Sequence, residues 1–195
     1  MSQHRQLVLA STSRYRRDLL ERLRLEFDCA GPQVDETPHD AESPDRTALR
    51  LSVAKAQAVA AAYPDALIIG ADQVAWCEGR RLDKPGNHEN AVAQLTWLSG
   101  RAAHFTTAVS VLDSSTGRIA SRQVPCRVNF RPLAADRIEA YLRKEQPYDC
   151  AGSAKAEGLG IALIARIETD DPTALIGLPL IGLTELLEEF GVSPV

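Results

Sequence analysis

The sequence predicts an α/β protein of two lobes built on a mixed sheet. Three observations carry that expectation. The short apolar runs Leu7–Ala10 and Ala66–Ala71 are bounded by polar segments and read as buried strands. Charged stretches with apolar residues every three or four positions alternate with them and read as amphipathic helices. A hairpin, two long strand-like segments around Asp113–Gly117, interrupts that alternation, so parallel and antiparallel pairings are expected together.

The elements follow in order. Leu7–Ala10 runs into Ser11-Thr12-Ser13, residue types that cap helices. Tyr15, Leu19 and Leu23 then recur every four positions, predicting a helix from Arg14 to about Leu25. Phe27–Val34 reads as extended, and the polar Thr37–Pro44, with two prolines, as a loop. Ser43-Pro44 sets a capping serine before a proline at the first helical position. The helix it opens is expected to reach about Tyr63, with Leu49, Val53 and Ala56 on one face. Ala66–Ala71 is the second buried strand, and Trp76–Pro85 a loop. A helix over His88–Ser99 ends at Gly100. His104–Leu112 and Arg118–Phe130 form the hairpin. Ala134–Lys144 is a helix with Ile138, Tyr141 and Leu142 on its apolar face. Gly160–Ile167 reads as a strand, and Leu180–Phe190 as a last helix stopped by Gly191. No repeat, biased segment or linker divides the chain, so residues 1–195 are expected to form one domain.

Composition narrows the classes. A chain of 195 residues suits one domain, and folding at that size buries roughly 70% of the surface. Hydrophobic residues are 45% and charged residues 25%, which excludes a disordered chain. Twenty-two cationic against 26 acidic side chains give a net charge of −4. That argues against a nucleic-acid or anionic-membrane binder, while leaving room for a small anionic ligand. Cys29, Cys77, Cys126 and Cys150 form no C-x-x-C pair, and His4, His39, His88 and His104 show no H-E-x-x-H spacing. Neither a zinc site nor a disulfide framework is expected; reduced thiols in a cytoplasmic protein are. The N-terminal apolar run is too short for a signal peptide. No stretch approaches the ~20 apolar residues of a membrane span.

Chemistry concentrates in a few places. Ser11, Ser13, Arg14, Arg16 and Arg17 surround the junction of a buried strand and a helix N-terminus. Free backbone N–H groups there favour an anion, and arginine grips phosphate with paired bonds. The alternative is a serine cap followed by a solvated basic turn. Asp72 directly follows an apolar strand, where open α/β sheets place ligands. It could equally be a turn aspartate. Asp35-Glu36 is a loop pair. Lys55, Lys84 and Lys155 lie in a helix, beside Pro85 and in a glycine-flanked loop. Singly each lysine suits the surface. Together with the arginines and acids they suggest a polyphosphate site with a divalent metal. No G-x-x-x-x-G-K-[ST] occurs, which excludes a P-loop ATPase.

The ordered stretches LASTSRYRRDLLERL, VDETP, KAQ, IIGADQV, KPG, CAGSAKAEGLGI and GLPL resemble the Maf family of nucleotide pyrophosphatases. The resemblance implies a long mixed sheet with flanking helices and a cleft between two lobes, related to the inosine triphosphatase fold. It implies hydrolysis of a nucleoside triphosphate to the monophosphate and pyrophosphate, with Mg²⁺, Mn²⁺ or Co²⁺, and suggests a homodimer. Asp72 and Glu36 match the family's site acids and would be catalytic and metal-binding. Lys55 and Lys84 match catalytic cations, and Ser11, Arg16 and Arg17 match groups around the phosphates. Tyr15, Gln73 and Glu157 match the pattern of the 7-methyl-GTP branch, as does Lys155, rather than that of the dTTP/UTP branch. Arg14 stands where proline is common and Tyr15 where tryptophan is common.

The chemistry of the base agrees with that branch. N7-methylation makes guanine cationic, and an aromatic face attracts such a ring. The carboxylate of Glu157 can accept from guanine N1–H and N2–H₂ together, whereas uracil or thymine would turn a carbonyl toward it. Two other readings stay open: a dTTP, UTP or other modified-nucleotide pyrophosphatase, and a nucleotide-binding regulator of septum formation.

Overall fold

The computed structural model describes residues 5–195. Met1 to His4, the start of the N-terminal stretch and one of the four histidines, lie outside the described residues. The elements are β1 (Gln6–Leu9), α1 (Arg14–Leu20), β2 (Asp28–Cys29), α2 (Pro44–Ala60), β3 (Ala66–Cys77), β4 (Arg80–Arg81), α3 (His88–Leu98), β5 (Ala102–Asp113), β6 (Ile119–Phe130), α4 (Ala135–Glu145), β7 (Ile164–Thr169) and α5 (Leu180–Glu189). The strands form one seven-stranded mixed sheet in the order β2-β1-β3-β5-β6-β7, with β4 beside β3. β1 runs parallel to β2 and β3, and β6 antiparallel to β7. The α/β class and mixed sheet are as expected.

The chain divides into two compact units, with three of the four divisions inside β3, β5 and β6 and the fourth just after β7 ends at Thr169. The first comprises the chain up to Gln73, Thr106–Val124 and Asp171–Val195. Its β1 and β3 are buried on both faces, so strand alternation sorts their residues into two cores. Odd-numbered Leu7, Leu9, Leu67, Ile69 and Ala71 pack with α1 and α5, through Leu19, Leu20, Leu183 and Leu187. Even-numbered Val8, Ala10, Ala66 and Ile68 pack with α2, through Ala56 and Val59.

Gly70 is an even position. A Cβ there would overlap the Ser52 carbonyl oxygen and lie 2.8 Å from the Ala56 backbone nitrogen. The bare glycine lets α2 lie directly on β3. Gly70→Ala should cost about 3 kcal/mol, the upper range for an overpacked core, read in a denaturant melt.

The second unit comprises Val74–Phe105 and Pro125–Asp170. There α3 lies against α4 and a tight turn at Ala151–Ser153. Ile138, Tyr141 and Leu142 are buried as expected.

Local signals held where local chemistry suffices. Ser43 caps α2 by accepting from Arg46 N, with Pro44 in the first turn. Gly117 N donates to Asp113 O in the hairpin. Several expectations need correction. The helix read to Leu25 stops at Leu20 and continues as a 3-10 turn over Glu21–Leu23, closed by Arg24 at φ 55°. Phe27–Val34 pairs only over Asp28–Cys29. The loop read over Trp76–Pro85 begins later, because β3 continues to Cys77. Gly160 to Leu163 is 3-10 rather than strand, since Gly160 abuts the Lys155 backbone at 2.5 Å from where a Cβ would stand. On α2 the buried positions are Thr47, Ala48, Leu51, Ser52, Lys55, Ala56 and Val59, not Leu49 and Val53. Among the described residues no helix is long and apolar enough to cross a membrane.

Candidate active site

The first unit brings three of the expected charged residues together. Asp72, the next even position after Gly70 on β3, faces α2. Its Oδ1 accepts from Lys55 Nζ at 2.6 Å, and the two side chains are only 8% and 7% exposed. Lys55 lies three residues beyond Ser52, so the helix turn that touches Gly70 also delivers the ammonium. Glu36 reaches the same nitrogen from the loop before α2, at 2.7 Å, with its side chain exposed. One cation therefore holds two carboxylates from segments far apart in the chain.

Arg16 adds a second cation. It is half-buried, and its Nε donates to Gly177 O at 2.9 Å. Burial lowers its guanidinium from the ordinary value, while Asp72 and Glu36 pull it back up. Arginine remains charged regardless. With Nε held by a carbonyl, the terminal N–H groups are left for an oxyanion. Gly177 adopts φ 121°, a conformation that side-chain-bearing residues rarely take.

The serines serve the backbone. Ser11 Oγ accepts from Ser13 N at 3.1 Å, and Ser13 Oγ accepts from Arg16 N at 3.4 Å as the cap of α1. Their hydroxyl protons stay available for donation. Arg17 is exposed beside Asp18 and Glu21, at 3.8 and 3.9 Å. The Arg14 guanidinium stands 4.8 Å from the Tyr15 ring centroid, and its Nη2 donates to the Tyr15 hydroxyl at 2.8 Å.

Gln73, next to Asp72 on the strand, faces the opposite way. Its Nε2 donates to Thr107 Oγ1, Ala174 O and Leu175 O at 2.9, 2.9 and 3.1 Å. These acceptors belong to β5 and to the loop before α5, so Gln73 does not share the carboxylate cluster.

The remaining expected residues belong to the second unit. Lys84 is exposed beside Pro85. Lys155 Nζ lies 3.2 Å from the Glu145 carboxylate, and its backbone N–H donates to the Tyr141 hydroxyl at 3.0 Å. The same carboxylate accepts from Leu159 N at 2.8 Å, tying the glycine-rich loop to α4. Glu157 is exposed in the turn closed by Gly158 N on Lys155 O.

A model for Maf-like proteins matches residues 6–190. The chain belongs to this family. It is 61% identical to a 7-methyl-GTP pyrophosphatase of Thiobacillus denitrificans, over 96% of this chain and 93% of that protein. It is 57% identical to one of Cupriavidus pinatubonensis, over 95% and 93%, and 55% identical to one of Ralstonia nicotianae, over 93% of each.

Two supports of this Maf-like site escaped the sequence reading. Arg50 donates to Glu42 through Nε and Nη2, both at 2.8 Å, and to Thr37 O at 3.1 Å. That fastens the acidic loop to α2 and holds the Glu42 carboxyl down at about 2. Buried Asp171 accepts from Thr173 N and Oγ1 and from Ile181 N, so one carboxylate fixes the loop and the start of α5. The Asp171-Pro172-Thr173 sequence carries an Asx-turn signal for it. Nothing local marks Arg50.

Proposed function

We propose that this chain is a nucleoside triphosphate pyrophosphatase that hydrolyses 7-methyl-GTP to 7-methyl-GMP and pyrophosphate. The similarity at 61% identity to a protein of that name, nearly end to end, carries the proposal. The cluster of Asp72, Glu36, Lys55 and Arg16 supports it chemically.

The reaction is in-line attack of water on the α-phosphorus. Asp72 orients the water and accepts its proton at a carboxylate oxygen. Lys55 sits against that carboxylate and offsets charge developing on the phosphate oxygens. Arg16, steadied through Nε, grips the departing pyrophosphate, with Arg17, Lys84 and Lys155 as further cations. Ser11 and Ser13 donate their hydroxyl protons to phosphate oxygens. Catalysis of this kind is mostly positioning and electrostatics.

The donors present suit a hard divalent cation. Asp72 and Glu36 already converge on one positive group, and oxygen donors match Mg²⁺, Mn²⁺ or Co²⁺. Among the described residues no three His, Cys, Asp or Glu side chains gather. Asp72 and Glu36 would therefore hold the ion jointly with the nucleotide's own phosphates. Bound there, it would supply neutralisation of phosphate charge.

For the base, Glu157 accepts from guanine N1–H and N2–H₂, and Tyr15 stacks with the ring. The chain acts in the cytoplasm as one domain, in keeping with three unit divisions that fall within strands, and as a homodimer.

A panel of triphosphates assayed for pyrophosphate release, with and without divalent cations, tests the reading. The expected outcome is fastest release from 7-methyl-GTP. Equal or faster release from UTP or dTTP would transfer the chain to another substrate, and binding without turnover would make it a regulator. Glu157→Gln should lower the ratio of kcat/KM for 7-methyl-GTP over UTP by about tenfold or more, because an amide N–H then opposes the base's donors. An unchanged ratio removes Glu157 from base selection.

A further inference from the structure

Lys84 and Lys155 stand in two loops of the second unit, and one side chain of α3 touches both loops. Gln94 Nε2 donates to Asp83 O at 3.0 Å, immediately before Lys84. Its Oε1 accepts from Ser153 Oγ at 2.6 Å, two residues before Lys155. A flipped amide would set oxygen against the Asp83 carbonyl, which no hydrogen could bridge, so the amide has one orientation. Ser153 is completely buried, and its own N–H donates to Cys150 O at 3.1 Å.

The backbone around Lys84 has other holds, and they act elsewhere. After it, the Pro85–Gly86 peptide is bound at both ends. Its oxygen accepts from Asn90 Nδ2 at 2.9 Å, and its N–H donates to Tyr148 O at 2.9 Å. Pro85 also fixes its own φ. Before it, Leu82 N donates to Ala75 O at 2.8 Å. The peptide plane that carries Asp83 O and Lys84 N lies between these holds, and Gln94 grips it. Asn90 and Gln94 are one helical turn apart on the same face of α3, so the helix clamps the chain on either side of Lys84.

We infer that Gln94 is a positioning residue for the phosphate-binding cations: it sets the peptide from which the Lys84 side chain springs and ties that peptide to the loop carrying Lys155. The inference rests on the reading of Lys84 as a cation for the departing pyrophosphate and adds the residue that aims it. A lysine ammonium is a point charge on a flexible stem, so where the stem starts decides what it reaches.

The experiment measures the affinity for inorganic pyrophosphate by calorimetry and KM for 7-methyl-GTP, beside a thermal melt. It compares the unaltered chain, Gln94→Met, Lys84→Met and the combination of the two. Gln94→Met should weaken pyrophosphate binding and raise KM about tenfold, the scale of one lost hydrogen bond to a positioned group. Lys84→Met should do at least as much. In the Lys84→Met chain, Gln94→Met should add less than about twofold, because it acts through a lysine no longer there. Gln94→Met leaves the Ser153 hydroxyl without its acceptor. Should it fail to fold, Gln94→Met with Ser153→Ala removes both partners and supplies the same comparison. Unchanged binding in Lys84→Met alone would remove Lys84 from the phosphates, and the inference would fall with that reading. Where Lys84→Met does weaken binding, an unaffected Gln94→Met chain overturns the inference alone. So does an equal loss from Gln94→Met with and without Lys84, which would make the glutamine a support of the fold only.

Discussion

Asp72→Asn is expected to reduce pyrophosphate release from 7-methyl-GTP by about a thousandfold or more while leaving the melting temperature nearly unchanged. The two halves of that expectation have separate causes. Asparagine has the size of aspartate, and its amide oxygen can still accept from Lys55 Nζ, which now lies 2.6 Å from Oδ1. Lys55 also keeps Glu36 at 2.7 Å, so no buried ammonium is left alone. The fold therefore has little reason to change. What disappears is a negative charge able to take a proton from water or to hold a cation, and loss of a positioned proton acceptor alone removes a factor of about 10² to 10⁴. The check is a single-turnover assay beside a melt of the same preparation. Turnover near that of the unaltered chain would remove Asp72 from the chemistry, and with it the mechanism.

The legibility of the sequence depended on how far each residue's partner lies along the chain. Ser43-Pro44 could be read as a helix start because cap, proline and first turn are neighbours. The Asp113–Gly117 hairpin could be read for the same reason. The length of β3 could not. Its apolar run breaks at Asp72-Gln73, and what lets the strand continue is a lysine on α2 and a carbonyl loop a hundred residues downstream. Polar residues within a buried strand look like an end until their partners are known. The buried face of α2 was misread for a related reason. Gly70 draws the helix so close that Ser52 and Ala56 make the contact, leaving larger Leu49 and Val53 half-buried. Size on the helix gave no hint of this, because the cause sits on the strand. Of the site, Asp72, Glu36, Lys55 and Arg16 were expected by residue type and by resemblance, and the first unit gathers them. Strand alternation places Gln73 away from Asp72, and the sequence was silent about this because both faces of β3 are covered.

Lys55→Met is expected to destabilise the chain by about 3 to 5 kcal/mol, the usual consequence of removing one partner from a buried ion pair. For a chain of this size that corresponds to a fall in melting temperature of roughly 10 °C. Methionine can follow the lysine stem between α2 and β3, so lost packing is a minor part. The cost arises at Asp72, whose carboxylate is 8% exposed and would face α2 without its ammonium. The bridge to Glu36 matters less, because that side chain is 57% exposed and water can replace the lysine. A double variant separates charge from shape. Lys55→Met combined with Asp72→Asn leaves no buried ion, so it should recover most of the lost stability while remaining inactive. Equal melting of the single and double variants would show that the lysine acts through packing. Recovery of stability without recovery of turnover would show that the ion pair, not the packing of the lysine stem, holds α2 on β3, and that turnover needs the pair itself.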